Sequence, residues 1–204
     1  MKLKLTLATT VLATTVLATL VLGGCASNNV SYGDAQSVET LTKDFGSTDL
    51  QMIADKMVDD MLTFPVIVQL TQNRRPVMFV DRIRNKTQEH IDTESITDTI
   101  QNKLINSGKF RFVDMTSANA LAQQLAYQKQ SGLVNQATSV KAGGHIGAEY
   151  MLNGNLSSIV KNAGGKSDVY YKFTLKLQNV QTGIVEWTSE KEIRKSSKRS
   201  TFGL

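Results

Sequence analysis

The clearest β-strand pattern in this chain of 204 residues is Tyr170-Tyr171-Lys172-Phe173-Thr174-Leu175-Lys176-Leu177. Its odd-numbered side chains are large and apolar or aromatic, whereas most even-numbered ones are polar or charged. A period of two residues predicts a strand that buries one face and exposes the other to water. Gln181-Thr182-Gly183 then gives a tight connection, and residues 184–193 return as the next strand, with Trp187 in the core. We therefore expect an antiparallel hairpin here.

Helices and strands alternate in the part of the chain that precedes this hairpin. Two segments place apolar residues three or four positions apart, the spacing of one helix face: Ile53, Met57 and Met61 in the first, and Ile96, Ile100 and Leu104 in the second. Short apolar runs predict strands at residues 76–80, 110–113 and 150–159, and further helices are expected from about residue 116 and over residues 139–147. This order predicts an α/β (α+β) fold, a mixed sheet of four to five strands flanked by helices, with antiparallel C-terminal strands.

The N-terminus has the three parts of a secretory signal. A short basic stretch, residues 1–4, precedes an uncharged apolar stretch, residues 5–22, and small residues follow. Leu22-Gly23-Gly24-Cys25 resembles the lipobox of bacterial lipoproteins, which implies cleavage before Cys25 and attachment of a diacylglycerol and an N-acyl chain to that residue. Ala26, where an Asp would favour the inner membrane, implies the periplasmic face of the outer membrane. The alternative is a transmembrane anchor of about 18 residues, barely long enough to span a bilayer.

These signals divide the chain into four parts. We expect a signal peptide over residues 1–24, a flexible tether over 25–48, a globular domain over 49–194 and a basic tail over 195–204. The tether expectation rests on a composition rich in Ser, Asn, Asp, Gly and Thr. Because Cys25 is the single cysteine, an intrachain disulfide is excluded.

No catalytic or metal-binding motif is present in the sequence. His90 and His145 have no ligand-forming residue at metal-site spacing, and Gly143-Gly144-His145-Ile146-Gly147 lacks the pattern of a phosphate-binding loop. We therefore predict that the protein is not an enzyme and carries no metal or cofactor besides its lipid. The formal net charge of +5 is mild, and without a dense basic cluster beside aromatic residues it predicts no nucleic-acid binding.

The sequence offers one candidate recognition surface, a polar segment that follows the strand at residues 76–80. Arg82, Arg84, Asn85 and Lys86 lie in this segment, which we expect to be a loop over residues 82–89. Loops held by a rigid strand are frequent binding sites. The alternative is that these residues are only a solvated loop.

Four segments together resemble the penicillin-binding protein activator LpoB family. They are Pro76-Val77-Met78-Phe79-Val80-Asp81 with Asn85-Lys86-Thr87, Leu104-Ile105-Asn106-Ser107-Gly108-Lys109-Phe110, Ile146-Gly147-Ala148-Glu149-Tyr150-Met151-Leu152, and Val180-Gln181-Thr182-Gly183-Ile184-Val185-Glu186-Trp187. The resemblance implies an outer-membrane lipoprotein that docks on the accessory domain of a class A (bifunctional) penicillin-binding protein and stimulates peptidoglycan synthesis. It also implies a fold similar to the amino-terminal domain of TolB. Known family members carry a long proline-rich tether, whereas the two prolines here are Pro65 and Pro76.

Two other functions remain open at this point. The hairpin pattern also occurs in the curli-secretion lipoproteins, so an envelope-assembly or secretion role is the alternative to synthase activation. The sequence shows no long pair of strands free to build a membrane barrel. The basic tail and the polar loop are also candidates for binding peptidoglycan or anionic lipid through screened charge attraction.

Overall fold

The computed structural model describes residues 31–198, with the exception of residues 36, 40 and 142. The chain divides into two units at Ser37 and Val38. The described part of the first unit contains a turn in which the backbone N–H of Ser37 donates to the carbonyl of Asp34 over 3.1 Å. All elements described below belong to the second unit. The predicted signal peptide over residues 1–24, the tether from Cys25 to residue 30, and residues 199–204 lie outside the described residues.

Four helices are present in the described residues, and the sequence explains their boundaries. They are α1 (Ser47–Thr63), α2 (Pro65–Leu70), α3 (Thr93–Asn106) and α4 (Ala118–Gln130). Pro65 ends the first helix and begins the second, because its fixed φ suits a first helical position. Asp92 caps α3, since its carboxylate accepts from the backbone N–H groups of Glu94 and Ser95 at 3.0 and 3.4 Å.

Six strands form one mixed sheet. They are β1 (Val77–Val80), β2 (Arg84–Lys86), β3 (Arg111–Phe112), β4 (Tyr150–Ala163), β5 (Lys166–Asn179) and β6 (Val185–Lys198). The order is β3-β1-β4-β5-β6, and β2 also pairs with β4, beyond the part of β4 that pairs with β1. The β1–β3, β1–β4 and β2–β4 pairs are parallel, whereas β4, β5 and β6 are successively antiparallel.

One face of the sheet forms the core with the helices. Its buried residues in the long strands join the apolar stripes of α1 and α3 in one cluster and are Tyr150, Leu152, Leu156, Val169, Tyr171, Phe173, Leu175, Leu177 and Trp187. The alternate residues of β5 point to the opposite face, which we call the open face, where Lys172 and Thr174 are partly exposed and Lys176 is exposed. Fully burying one large apolar side chain stabilises a fold by about 1.5–3 kcal/mol, so the core face carries most of the stability.

The fold class is confirmed, and four details of the prediction are wrong. The sheet has six strands rather than four to five. Residues 84–86, predicted as loop, form β2. No helix covers the described residues between 139 and 147. The predicted tail begins inside β6, which continues to Lys198 because it pairs with β5 along its whole length.

The predicted tether boundary at residue 48 also differs from the structure. Residues 43–46, which we call the entry segment, hydrogen-bond to the domain before α1 begins. Sequence composition did not show this, since three of these bonds use backbone atoms of the segment and partners far away in the chain.

Candidate functional site

The four residues predicted for recognition lie together at one margin of the sheet. Arg82 is in the connection between β1 and β2, and Arg84, Asn85 and Lys86 constitute β2. All four are exposed. Ile83 between them is only 1% exposed and belongs to the core cluster. A buried anchor therefore holds this polar segment in place, and a strand, not a loop, presents Arg84 and Lys86.

The pairing register shows which way the cations point. Arg84 is paired with Asn155 and Lys86 with Ser157, on either side of buried Leu156. Directly paired residues of neighbouring strands share a face, and successive residues alternate. Arg84 and Lys86 therefore lie on the open face of the sheet.

Two cross-strand rows continue from these cations across the open face. One runs Lys86, Ser157, Lys172, Glu192, and the other runs Arg84, Asn155, Thr174, Glu190. Lys172 pairs with Glu190 at 2.6 Å and with Glu192 at 3.7 Å. With strands about 4.8 Å apart, each row spans roughly 15 Å. The open face therefore has a positive margin at β2, whereas the two carboxylates at β6 are paired with Lys172.

The side chains of these cations have no polar partner among the described residues. Within the part of the chain that the structure describes, Arg82, Arg84 and Lys86 make no ion pair and no side-chain hydrogen bond. We call these three residues the docking cations. Their charges are free to act on an external anionic group, because nothing within the described domain neutralises them.

Asn85 has a different position from the docking cations. Its Nδ2 donates to the carbonyl of Glu89 over 2.8 Å, and its Oδ1 accepts from the backbone N–H and the hydroxyl of Thr87 at 2.9 and 2.8 Å. These bonds close the turn that follows β2. Asn85 therefore shapes the turn, and a direct contact with a partner stays a prediction.

Sequence reasoning missed Glu89, the residue that joins this turn to the rest of the domain. One carboxylate oxygen accepts from the backbone N–H of Phe45 over 2.9 Å, and the other accepts from the hydroxyl of Tyr171. Burial raises the pKa of Tyr171, and its hydrogen bond to the Glu89 carboxylate raises the pKa further. No sequence signal points to Glu89, because its partners are distant in the chain.

A second missed feature is a buried ion pair between Asp49 and Lys195. Asp49 is 3% exposed, and its carboxylate also accepts from the backbone N–H of Gly46 over 2.9 Å. The Lys195 ammonium donates to the carbonyl of Asp44 over 2.6 Å. The sequence prediction placed Lys195 in a mobile tail, whereas the structure places it at the base of the entry segment.

The two histidines and the acidic residues form no metal-binding cluster in the described part of the chain. Both His90 and His145 are exposed. No cluster of three or more His, Cys, Asp or Glu residues able to hold a metal ion occurs among the described residues. In the same part of the chain, no helix has both the length and the apolar character needed to cross a membrane.

Comparisons with known proteins identify the domain. The family model described as peptidoglycan-synthase activator LpoB matches residues 49–193. The penicillin-binding protein activator LpoB of Salmonella typhimurium is 29% identical over 114 residues, 56% of this chain and 50% of that protein. The protein of the same name from Dickeya dadantii is 23% identical over 134 residues, 64% of each. The chain thus spans about half the length of the Salmonella relative.

Solved structures of this family also resemble the chain. The LpoB C-terminal domain from Escherichia coli is 25% identical, with a TM-score of 0.43, and the match covers 71% of this chain and 98% of that one. The NMR structure of E. coli LpoB is 20% identical, with a TM-score of 0.39 and coverage of 88% and 86%. Since the family model spans well over half of the sequence, this protein belongs to the LpoB family of peptidoglycan-synthase activators.

Proposed function

We propose that this protein is an outer-membrane lipoprotein that binds and activates a class A, bifunctional penicillin-binding protein and so regulates peptidoglycan synthesis. The observation that carries the proposal is the family match over residues 49–193, which includes all six strands except the end of β6. The protein itself would catalyse nothing, and its effect would come from contact.

The docking cations are the proposed contact surface. Arg82, Arg84 and Lys86 are exposed, unpaired within the described domain and held by the buried side chain of Ile83. An acidic patch on the accessory domain of the synthase is the complementary partner. Such charge complementarity speeds association and selects among partners more than it raises affinity.

Activation would follow from differential affinity. A protein that binds the active conformation of a synthase more tightly than the inactive one shifts the synthase toward the active form. Couplings of this kind usually amount to about 1–3 kcal/mol, or roughly 5- to 150-fold in affinity. The rigid β2 margin suits this role, because a preformed surface loses little conformational freedom on binding.

The lipid on Cys25 would hold the domain at the outer membrane. Two or more acyl chains anchor a protein stably, whereas one chain does so only marginally. Because the entry segment is fixed to the domain, the free tether is shorter than the sequence division implied. The seventeen residues from Ala26 to Thr42 span at most about 60 Å when fully extended. The partner's docking domain would have to come within that distance of the outer membrane, plus the extent of the folded domain.

Mixing the purified full chain with each class A synthase of the same organism tests the proposal. We expect binding to one of them and faster glycan polymerisation in its presence. Absence of binding and of any rate change with every synthase would overturn the function.

Charge reversal tests the docking surface. Arg82→Glu with Arg84→Glu should weaken synthase binding at least tenfold, because two favourable contacts become repulsive. The control is Lys129→Glu on α4, an exposed lysine remote in sequence from β2. Stability should change by less than about 0.5 kcal/mol in either variant. Unchanged affinity in the double variant would show that docking occurs elsewhere.

A further inference from the structure

We infer that Glu89 is a positioning residue, which fixes the turn after β2, and with it the docking cations, to the entry segment. The inference rests on the proposed function for its meaning. Its structural part, the link between the turn after β2 and the entry segment, stands on contacts within the domain.

The Glu89 carboxylate accepts two hydrogen bonds from distant parts of the domain. One oxygen accepts from the backbone N–H of Phe45 in the entry segment, and the other accepts from the hydroxyl of Tyr171 in β5. Hydrogen bonds to a charged acceptor are roughly twice as strong as neutral ones. Tyr171 is fully buried in β5. The Glu89 carboxylate therefore connects the entry segment and the turn after β2 to a buried side chain of the sheet.

A short series of hydrogen bonds connects Glu89 to the strand that carries two of the docking cations. The backbone N–H of Glu89 donates to the Thr87 hydroxyl over 3.1 Å, and its carbonyl accepts from Asn85 Nδ2 over 2.8 Å. Thr87 in turn donates to Asn85 Oδ1. The turn is therefore a closed network, and Asn85 lies between Arg84 and Lys86. A displacement of Glu89 must displace β2.

The entry segment has further contacts with the domain that do not involve Glu89. Its Phe45 ring meets Tyr171 edge-on, with ring centroids 5.7 Å apart and an interplanar angle of 68°. Lys195 donates to the Asp44 carbonyl and pairs with buried Asp49. The segment is held by Lys195 and Glu89, and its Lys43 carbonyl also accepts from the Tyr171 hydroxyl over 3.1 Å. Among the hydrogen bonds and ion pairs of the described residues, only the bond to Glu89 links this segment to the turn after β2.

This arrangement has a functional consequence. The chain that leads to the lipid anchor enters the domain at the same place that positions β2. The position of the entry segment is therefore coupled to that of the docking cations, and by linkage, a partner that orders β2 also favours the bound form of the entry segment.

Amide hydrogen exchange on the full chain without any partner tests the link. Glu89→Gln keeps the shape of the side chain but removes its charge, and we expect the amides of Phe45 and Thr87 to exchange about tenfold faster. Glu94→Gln, an exposed residue in the first turn of α3, is the matched control. Slow exchange of β5 amides in both variants shows that the domain is folded. Unchanged exchange at Phe45 and Thr87 in Glu89→Gln would overturn the inference.

A double-substitution cycle with the synthase tests the functional part. Glu89→Gln should weaken binding about fivefold, and so should replacement of residues 41–45 by a Gly/Ser stretch of equal length. In combination they should weaken binding no more than either alone, because both break the same link. Additive losses would contradict the link. If the unmodified chain bound no synthase, the proposed function would fail, while the exchange measurement would still decide the role of Glu89.

Discussion

The core face of the sheet requires apolar side chains and the open face polar ones, and the same strands supply both. In β5, Phe173 and Leu175 are at most 1% exposed and belong to the core cluster, whereas the alternate residues Lys172 and Thr174 meet solvent. The strand period of two keeps these sets apart. Core packing and the polar character of the open face are therefore separable, because a substitution at one position need not affect its neighbour's face.

The largest effect is expected on the core face. Phe173→Ala should lower the free energy of unfolding by about 3–5 kcal/mol, since it removes a buried aromatic side chain and leaves a cavity. The neighbouring change Thr174→Ala on the open face should cost less than about 1 kcal/mol. Urea unfolding of both variants measures the difference. Equal losses would break the division between the faces.

A somewhat smaller loss is expected where a charge lies on the core face. Lys195→Met removes one partner of the buried pair with Asp49 and should cost about 3 kcal/mol, because the carboxylate stays buried without its cation. Lys198→Met, at an exposed position of the same strand, is the control and should have almost no effect. Thermal unfolding of the two variants gives the comparison. A stable Lys195→Met variant would mean that the pair contributes little.

Close packing of β4 against β5 should give the next effect. A Cβ built on Gly154 would lie 2.4 Å from the carbonyl oxygen of Thr174, so Gly154→Ala must push the strands apart. We expect a loss of about 1–3 kcal/mol in urea unfolding. Gly147→Ala is the matched control, since a Cβ there meets no atom within 4 Å. An unchanged free energy of unfolding in Gly154→Ala would show that β4 and β5 can move apart at little cost.

The smallest effect concerns Asp114, before α4, which belongs to neither face. Hydrogen bonds from the Ser117 hydroxyl, and then from the Thr116 hydroxyl and N–H, lower the pKa of Asp114 to about 2. A lowered pKa means that these bonds favour the fold above the ordinary pKa of 3.8 and are lost as pH falls through about 2. An NMR titration of the Asp114 carboxyl should show this midpoint. A midpoint near 3.8 would contradict these hydrogen bonds.

Sequence patterns correctly predicted the elements in which apolar side chains recur with a regular period. The alternation in β5 and the helical spacing of Ile96, Ile100 and Leu104 appear in the structure as predicted. The strand β2 was missed because three consecutive polar residues carry no apolar period. It exists because β4 offers a parallel partner far away in the chain.

At the candidate site, too, contacts between residues distant in the chain could not be predicted from the sequence. The exposed cations of Arg82, Arg84 and Lys86 were recognisable from charge and position after a strand. The contacts of Glu89 with Phe45 and Tyr171, and of Lys195 with Asp49, were not. Each joins residues brought together only by the folded sheet, and three of the participating groups lie in segments whose composition indicated loop, tether or tail.

The central claim is that the domain acts on a synthase by contact through the docking cations. The most direct test measures the glycan polymerisation rate of the class A synthase while either the unmodified chain or the Arg82→Glu, Arg84→Glu variant is added. The unmodified chain should accelerate the reaction to a plateau, and the variant should need at least about tenfold more protein to reach the same rate. Identical curves for the two proteins, or no acceleration by the unmodified chain, would contradict the account.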